Sequence, residues 1–208
     1  MASPPMRPGP LGSGRGGTAG GSAVGPHCAE GTPVPLTRTL LPAGLPGLRD
    51  LLLRLGPDDR ALRFGAAVDD AAIEAHCRRL EQAGLGAQVI GAFEDGRLVA
   101  AAELWFSAGP PPRSCEVAIA VDAPWRGRGI GGVLLGRAVL AARNRWADRL
   151  RLSCMLENRR MQRLARRFTH ELRVRERSAE AEIRLPYPSW PSLWAEAVTD
   201  AAGLAASL

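Results

Sequence analysis

The sequence contains no lysine, and all 27 of its basic residues are arginine. A chain without lysine cannot supply the Gly-Lys-Ser/Thr element of a P-loop, so that class of phosphate site is excluded. We attribute the complete preference for arginine to genome composition rather than to function. The formal net charge is +6, which by itself leaves open an anionic partner such as a phosphate compound, RNA or DNA.

Long apolar runs are also missing. No stretch approaches the roughly 18 residues that a transmembrane helix needs, so we expect no membrane association. Residues 1–32 lack the continuous apolar segment of a secretory signal, and the cytoplasm is therefore the expected location. Hydrophobic residues make up 46% and charged residues 23% of the chain, which is typical of a globular protein.

Large apolar side chains are scarce at both ends. Residues 1–32 are rich in Gly, Pro, Ser and Ala, so ordering them would cost backbone entropy with little burial in return, and we predict a disordered tail. Residues 33–185 have the composition of one folded domain. Residues 186–208 form a C-terminal extension that contains Trp190 and Trp194 and ends in an Ala-rich stretch compatible with a weak helix.

Cysteine and histidine are too few and too scattered to indicate a metal site. The four cysteines show neither metal-ligand spacing nor the density of a disulfide framework, so we expect free thiols. The three histidines show no pairing pattern and are interpreted as structural or surface residues. These histidines and cysteines are His27, His76, His170, Cys28, Cys77, Cys115 and Cys154.

Charge is distributed unevenly. Residues 50–122 carry 12 acidic residues and 7 arginines, a net −5, whereas residues 126–184 carry 16 arginines and 6 acidic residues, a net +10. The basic half is expected to face an anion. Aromatic residues are too sparse there for a base-stacking platform, so nucleic acid is disfavoured relative to a phosphate-bearing small molecule.

Apolar periodicity predicts strands alternating with helices after the tail, and a polar turn at 58–64. The hairpin around Glu94-Asp95-Gly96 has the carboxylate-then-glycine chemistry of a tight turn. The predicted strands are 35–40, 88–93, 97–106, 116–121, 149–155, 171–177 and 180–185. The predicted helices are 46–55, 69–83, 131–146 and 158–168, with Asp69 or Asp70 as an N-cap.

A glycine-rich segment joins strand 116–121 to the next helix. Glycines at 127, 129 and 131 carry no Cβ, so consecutive backbone N–H groups can converge on an anion at the positive end of the helix. A Rossmann loop would place an acidic residue about 20 positions later, but that region is Trp146-Ala147-Asp148 in a basic neighbourhood. The segment taken alone predicts a phosphate site or a plain turn.

In context, the segment resembles the cofactor loop of the GNAT N-acetyltransferase superfamily, which reads Arg or Gln, two residues, Gly, one residue, then Gly or Ala. Arg126, Gly129 and Gly131 match it. The resemblance extends over about residues 34–185. Its other matching positions are strand 116–121 with Asp122, Pro124 and Trp125, the stretch 152–158 with Met161, Leu164 and Phe168, and the Arg-rich segment 55–64.

The resemblance implies an α/β (α+β) fold: a mixed, mostly antiparallel sheet of about seven strands, flanked by about four helices, with splayed central strands. It also implies that acetyl-CoA is the co-substrate. Pantetheine would pair with the strand edge, Asn158 would contact it, the loop would hold the pyrophosphate and the Val121 N–H would act as an oxyanion contact. The implied cofactor residues are Ile119, Ala120, Val121, Arg126, Gly127, Arg128, Gly129, Ile130, Gly131, Gly132 and Asn158.

The implied reaction is acetyl transfer to a primary amine, either a small molecule or a protein lysine. Glu116 is the first candidate for the general base and Glu103 the second, and for both an ordinary strand-end carboxylate is the alternative. The acidic balance of residues 50–122 favours a cationic acceptor, or reflects no more than a solvated surface. The sequence is compatible with a homodimer.

One position departs from the family pattern. Many members carry a Tyr seven residues after the Asn, as general acid for the departing thiolate, but this chain has Ala165 there. Ser153 or Cys154 could replace it, or the thiol could leave without help. The departure keeps a second hypothesis open, a non-catalytic CoA-binding or sensing module, and nucleic-acid binding ranks third.

Overall fold

The computed structural model describes residues 35–111 and 113–205. The predicted tail at 1–32, and with it His27 and Cys28, lies outside the described residues. Within them the chain forms a seven-stranded sheet in the order β1-β2-β3-β4-β5-β7-β6. Its strands are β1 (Leu36–Thr39), β2 (Ala87–Glu94), β3 (Arg97–Phe106), β4 (Arg113–Val121), β5 (Ala147–Met155), β6 (Leu172–Arg175) and β7 (Ser178–Arg184).

The sheet is mixed and mostly antiparallel, as predicted. Every neighbouring pair among the described strands is antiparallel except β4 and β5, which run parallel. Between β2 and β3, Asp95 and Gly96 have φ values of 47° and 73°. Two successive left-handed residues give a tight turn whose twist matches that of the strands, which confirms the predicted hairpin.

Six α-helices occur in the described part of the chain, where about four were predicted. They are α1 (Leu45–Arg54), α2 (Pro57–Phe64), α3 (Asp70–Gln82), α4 (Ile130–Asn144), α5 (Arg159–Ala165) and α6 (Trp190–Ala205). Short 3₁₀ turns occupy Pro42–Gly44, Gly84–Gly86 and Ala123–Trp125. Asp69 caps α3 by accepting from the Ala72 N–H, as predicted.

The predicted polar turn at 58–64 is wrong, because this segment forms helix α2. Pro57 occupies the first turn, Asp58 and Asp59 lie at the positive end of the helix, and Gly65 closes it with a φ of 76°. These start and stop signals stabilise a short helix whose apolar side chains are only partly buried, with Phe64 packed against the cluster of α1 and α3. The helix covers one end of the gap described below.

The sheet separates two hydrophobic cores. On one face, α4 packs its buried residues, including Leu134, Leu135 and Ala138, against the central strands. On the other face, α1 and α3 contribute Leu51, Leu52 and other residues to a second cluster. Helices on both faces bury β3 from residue 98 to residue 104, whereas β4 and β5 keep exposed positions such as Glu116 and Arg151.

Helix α6 covers β1 and α4. Asp200 accepts from the Thr39 N–H and ion-pairs with Arg137. A Cβ on Gly203 would lie 2.6 Å from the Thr37 carbonyl oxygen, so glycine permits the close approach of helix and strand. The exposed indoles of Trp190 and Trp194 lie on this helix. None of the described helices has both the length and the hydropathy to cross a membrane.

Strands β4 and β5 separate part-way along their length. Their pairing extends from Arg113 to Glu116 on β4 and from Ala147 to Arg151 on β5, and no pairing of residues 117–121 with β5 follows. The predicted splay of the central strands is therefore present. It opens a gap in the sheet beside the end of β4, directly before the glycine-rich loop and α4.

Candidate active site

The backbone of Val121 faces the gap between β4 and β5. The Asp122 N–H donates to the Val99 carbonyl of β3 at 2.9 Å. Because polar groups of successive strand residues point to opposite sides, the Val121 N–H points away from β3 and towards the gap. The Val121 carbonyl on the same side accepts from Arg126 Nε at 3.0 Å. An open strand edge is thus available to a ligand that can pair with it.

The loop after β4 ends at the N-terminus of α4. Gly127 and Gly129 have φ values of 78° and 80°, a conformation that side chains with a Cβ rarely adopt. Gly129 is the N-cap of α4, and no side chain of the described residues caps this helix. The first N–H groups of α4 and its positive dipole end are consequently available to an anion.

Strand edge and loop belong to one cleft of about 680 Å³. All eleven predicted cofactor residues line it, including Asn158 on the far side. The Asn158 Oδ1 caps α5 by accepting from the Met161 N–H at 3.0 Å, which leaves Nδ2 as the group that can donate to a ligand. The structure therefore brings the predicted set together, while their binding of a cofactor stays a prediction.

Three cleft arginines were not anticipated from the sequence. Arg160, Arg163 and Arg167 extend along and just beyond α5 and line the cleft opposite the loop. Their spacing of three and four residues places them on one helical face, and this periodicity was the available signal. The basic character of residues 126–184 is therefore concentrated in part at the cleft.

Arg126 and Arg128 have different environments. Arg126 Nη2 lies 2.8 Å from Asp59 Oδ2, so this arginine links the loop to α2 at the cleft wall. Arg128 is exposed, and its guanidinium lies 4.5 Å from the centre of the Trp125 ring. Of the two, Arg126 already has an anionic partner that a phosphate group would have to replace.

A second, smaller cleft lies between α3 and the paired part of β3 and β4. Its lining residues are Arg63, His76, Arg79, Trp105, Glu116 and Ala118. Arg63 also lines the larger cleft, so the two adjoin at this residue. Glu116, the first base candidate, has an exposed side chain that lines the smaller cleft.

Glu103, the second base candidate, is buried beneath this cleft with 1% of its surface exposed. Its carboxylate lies 2.6 Å from Arg63 Nη2 and 2.6 Å from His76 Nε2. Burial opposes ionisation, but the charge of Arg63 and the hydrogen bond from His76 outweigh it and lower the pKa of Glu103 to about 2. A carboxylate with that pKa accepts protons poorly at neutral pH.

His76 is a structural rather than a surface residue: its buried ring joins Glu103 and packs between Phe64 and Trp105, a pairing that no sequence pattern indicates. The partner residues lie 27 positions apart in sequence. Only the fold brings α3 next to β3, and no local pattern indicates the contact. The available signal was one charged residue, Glu103, within the otherwise apolar stretch 98–106 of a predicted strand.

Neither of the two residues that could replace the missing tyrosine lies at the cleft. Ala165 is fully buried. Ser153 and Cys154 lie on β5 and do not belong to the cleft lining. Burial raises the pKa of the Cys154 thiol.

Cys77, Cys115 and Cys154 are buried free thiols, as predicted. Burial raises the pKa of Cys77 to about 11 and of Cys115 to about 12.

Comparison with family models matches residues 57–169, more than half of the 208 residues, to the acetyltransferase (GNAT) family. The chain belongs to the GNAT acetyltransferase family. The match includes Glu103 and Glu116, the strand edge at Val121, the glycine-rich loop and α5. No curated protein sequence matches the chain.

Solved GNAT structures share the fold. The GNAT domain of S. lividans PAT is 17% identical, with a TM-score of 0.62 over 72% of this chain and 89% of that one. A ribosomal-protein-alanine N-acetyltransferase from Brucella melitensis is 23% identical, with a TM-score of 0.59 over 72% of this chain and 99% of that one. A putative acetyltransferase from Salmonella typhimurium, yncA with its cofactor acetyl-CoA, is 16% identical. Its TM-score is 0.57 over 76% of this chain and 98% of that one.

Proposed function

We propose that this GNAT protein transfers an acetyl group from acetyl-CoA to a primary amine. The observation that carries the proposal is the continuity of the open β4 edge at Val121 with the uncapped N-terminus of α4. One surface thus offers pairing groups for an extended amide-bearing arm and, immediately beyond, N–H groups for a phosphate. The yncA structure, which contains acetyl-CoA, has the same fold.

The two ends of acetyl-CoA fit different parts of the cleft. The loop from Arg126 to Gly131 would bind the pyrophosphate, and the α5 arginines supply additional positive charge. The amide groups of the pantetheine arm would pair with Ile119 to Val121. The Val121 N–H would then donate to the thioester oxygen as negative charge develops on it, which stabilises the transition state without any side chain.

Glu116 is the general base in this proposal. A primary ammonium with a pKa near 10.4 costs about 4.6 kcal/mol to deprotonate at pH 7, so a carboxylate at the acceptor side that takes its proton, directly or through water, assists the attack. The smaller cleft is the acceptor cleft in this proposal. Glu116 lines it and is exposed, whereas Glu103 is buried and already occupied by Arg63 and His76. Glu103 is therefore a positioning residue.

The leaving thiolate departs without a protein acid. The position of the family tyrosine is Ala165, and its methyl group cannot donate a proton. A thiol with a pKa near 8.5 is a tolerable leaving group at neutral pH, so this absence slows the reaction without preventing it. We expect turnover to increase with pH as a larger fraction of the amine is deprotonated.

A thiol-release assay with acetyl-CoA and a panel of amines tests the proposal. We expect release that depends on the amine, and a decrease in kcat of about 100-fold for Glu116→Gln with acetyl-CoA affinity unchanged. Glu176→Gln, at an exposed glutamate in the β6–β7 turn, is the control and should have full activity. Equal activity of Glu116→Gln and the control would contradict the assignment of the base.

Ala165 favours a second candidate, a GNAT module that binds CoA without turnover. It predicts that acetyl-CoA binds but that no amine of the panel releases thiol. A single amine with a saturable rate of thiol release eliminates this candidate, and binding with no release across the panel eliminates the first one.

A further inference from the structure

Two charged side chains that line the acceptor cleft have no oppositely charged partner among the described residues. Arg63 and Glu103 neutralise each other at 2.6 Å. Arg79 and Glu116 then remain as one positive and one negative side chain in the lining. Both are exposed at the cleft, which makes them accessible to a bound molecule.

His76 fixes the position of Arg79. Its Nε2 lies 2.6 Å from Glu103 Oε2, and its Nδ1 lies 3.3 Å from Arg79 Nη2. One arrangement satisfies both contacts: the Nε2–H donates to Glu103 and Nδ1 accepts from Arg79. The buried Glu103 and His76 thus hold the guanidinium of Arg79 at the cleft, while both ring nitrogens of His76 are occupied and unavailable as a base.

Arg63 provides a further donor where the two clefts adjoin. Its side chain is 9% exposed, and its Nε has no hydrogen-bond partner among the residues that the structure describes. A buried guanidinium N–H without a partner is costly, so a ligand oxygen at this point would be stabilised. Arg63 therefore adds a second group suited to an acidic ligand.

We propose that the acceptor is zwitterionic, a primary amine that carries a carboxylate or similar acidic group a few atoms away, as free amino acids do. Glu116 receives the ammonium, Arg79 binds the acidic group and Trp105 packs against the aliphatic part. The inference rests on the proposed acetyl transfer and specifies its substrate class. Beyond the Arg63–Glu103 pair, the cleft has one cation, Arg79, and one anion, Glu116, and these charges complement those of such a molecule.

The acidic balance of residues 50–122 does not oppose this assignment. Five of those twelve acidic residues are paired with arginine outside the acceptor cleft. The pairs are Arg49–Asp50, Arg49–Glu74, Arg54–Asp122, Arg60–Asp70 and Arg126–Asp59. A polyamine or a protein lysine, which the overall balance favours, would leave Arg79 without an anionic partner, and Arg79 would repel a second ammonium.

Matched acceptors test the proposal directly. The probes are the common L-amino acids, the α-amide of each, the amine formed by removal of each carboxyl group, spermidine and a lysine-containing peptide. For the best amino acid we expect kcat/KM at least about 10-fold above its amide and its decarboxylated amine, because these lose a charge-assisted hydrogen bond. Faster acetylation of spermidine, the peptide or the amides would overturn the proposal.

Arg79→Gln then assigns the preference to one residue. We expect the KM of the amino acid to increase about 10- to 100-fold, with the rate for its amide unchanged, so that the preference disappears. Arg79→Lys should restore part of it. Arg78→Gln removes an equally charged, exposed neighbour that lies outside the cleft and should keep the preference.

The outcomes separate the two proposals. An unchanged preference in Arg79→Gln would contradict the role of Arg79 in binding the acidic group. Turnover of amines without any preference for amino acids would overturn this inference and leave acetyl transfer intact. Failure of every amine to release thiol, with acetyl-CoA still bound, would overturn both.

Discussion

The two sides of β4 are built in different ways. On the proposed cofactor side, which is the larger cleft, backbone groups predominate: the Val121 edge, two glycines with positive φ and the first turn of α4. On the proposed acceptor side, which is the smaller cleft, a buried network of side chains from α2, α3 and β3 predominates, with Glu103 at its centre. A backbone site tolerates many side chains but few conformations, whereas a side-chain network depends on every member.

The comparison predicts that the acceptor side is the more sensitive to side-chain removal. In Glu103→Ala, the buried Arg63 keeps its charge without a counterion, so we expect the free energy of unfolding to decrease by about 3–5 kcal/mol. Denaturant unfolding measures it, with Glu81→Ala, an exposed glutamate on α3, as control. A loss below about 1 kcal/mol would mean that the network contributes little to stability.

The pH dependence of stability provides a test of the same carboxylate. The pKa of Glu103 is about 2 in the folded protein and 4.5 ordinarily, so folding favours its ionised form. The associated stability, about 3 kcal/mol, is fully present above pH 4.5 and is lost as the pH falls towards 2. Glu103→Ala should remove this part of the acid dependence. Parallel acid-unfolding profiles of the two proteins would contradict the lowered pKa.

On the cofactor side, the largest effect is expected from a charge placed in the loop. Gly129→Asp adds a Cβ where φ is 80° and a carboxylate at the phosphate position, so acetyl-CoA binding should weaken by at least about 100-fold. Calorimetric titration measures it. Gly84→Asp, with a φ of 52° outside the cleft, matches the strain and should bind normally. Comparable weakening in both variants would point to strain alone.

A smaller effect is expected from the arginines of α5. Arg163 is exposed and lines the cleft, so Arg163→Ala should weaken acetyl-CoA about fivefold, within the range of exposed charge pairs. The effect should diminish at high salt. Arg166→Ala, which changes an exposed arginine outside the cleft, is the matched control. Equal affinities in the two variants would remove α5 from the cofactor site.

The smallest effect is expected where the two sides meet. Asp59 on α2 holds Arg126 at 2.8 Å and adds a negative charge to the cleft wall. Asp59→Asn releases the arginine for a phosphate, so acetyl-CoA should bind about threefold more tightly. Asp58→Asn, an exposed neighbour on the same helix, should leave the affinity unchanged. Weaker binding in Asp59→Asn would show that Asp59 helps to form the site.

The same difference explains how much could be predicted from the sequence. A glycine at 127 or 129 indicates a backbone conformation locally, and the apolar strand before it fixes the position of the loop. The loop and strand-edge residues that line the larger cleft could therefore be predicted, whereas the arginines of α5 were missed. The ring of His76 and the carboxylate of Glu103 meet only because α3 packs on β3. Helix α2 was missed because its eight residues include only two large apolar side chains, Leu62 and Phe64, although Pro57 and Gly65 marked its ends.

The central claim is that the cleft at the end of β4 binds acetyl-CoA, and a thermal melt of the wild-type protein with increasing acetyl-CoA tests it most directly. At 100 times the dissociation constant, binding to the folded state adds about 2.7 kcal/mol, which should increase Tm by several degrees. Gly129→Asp should show no increase. A wild-type Tm that stays constant at saturating acetyl-CoA would contradict the account.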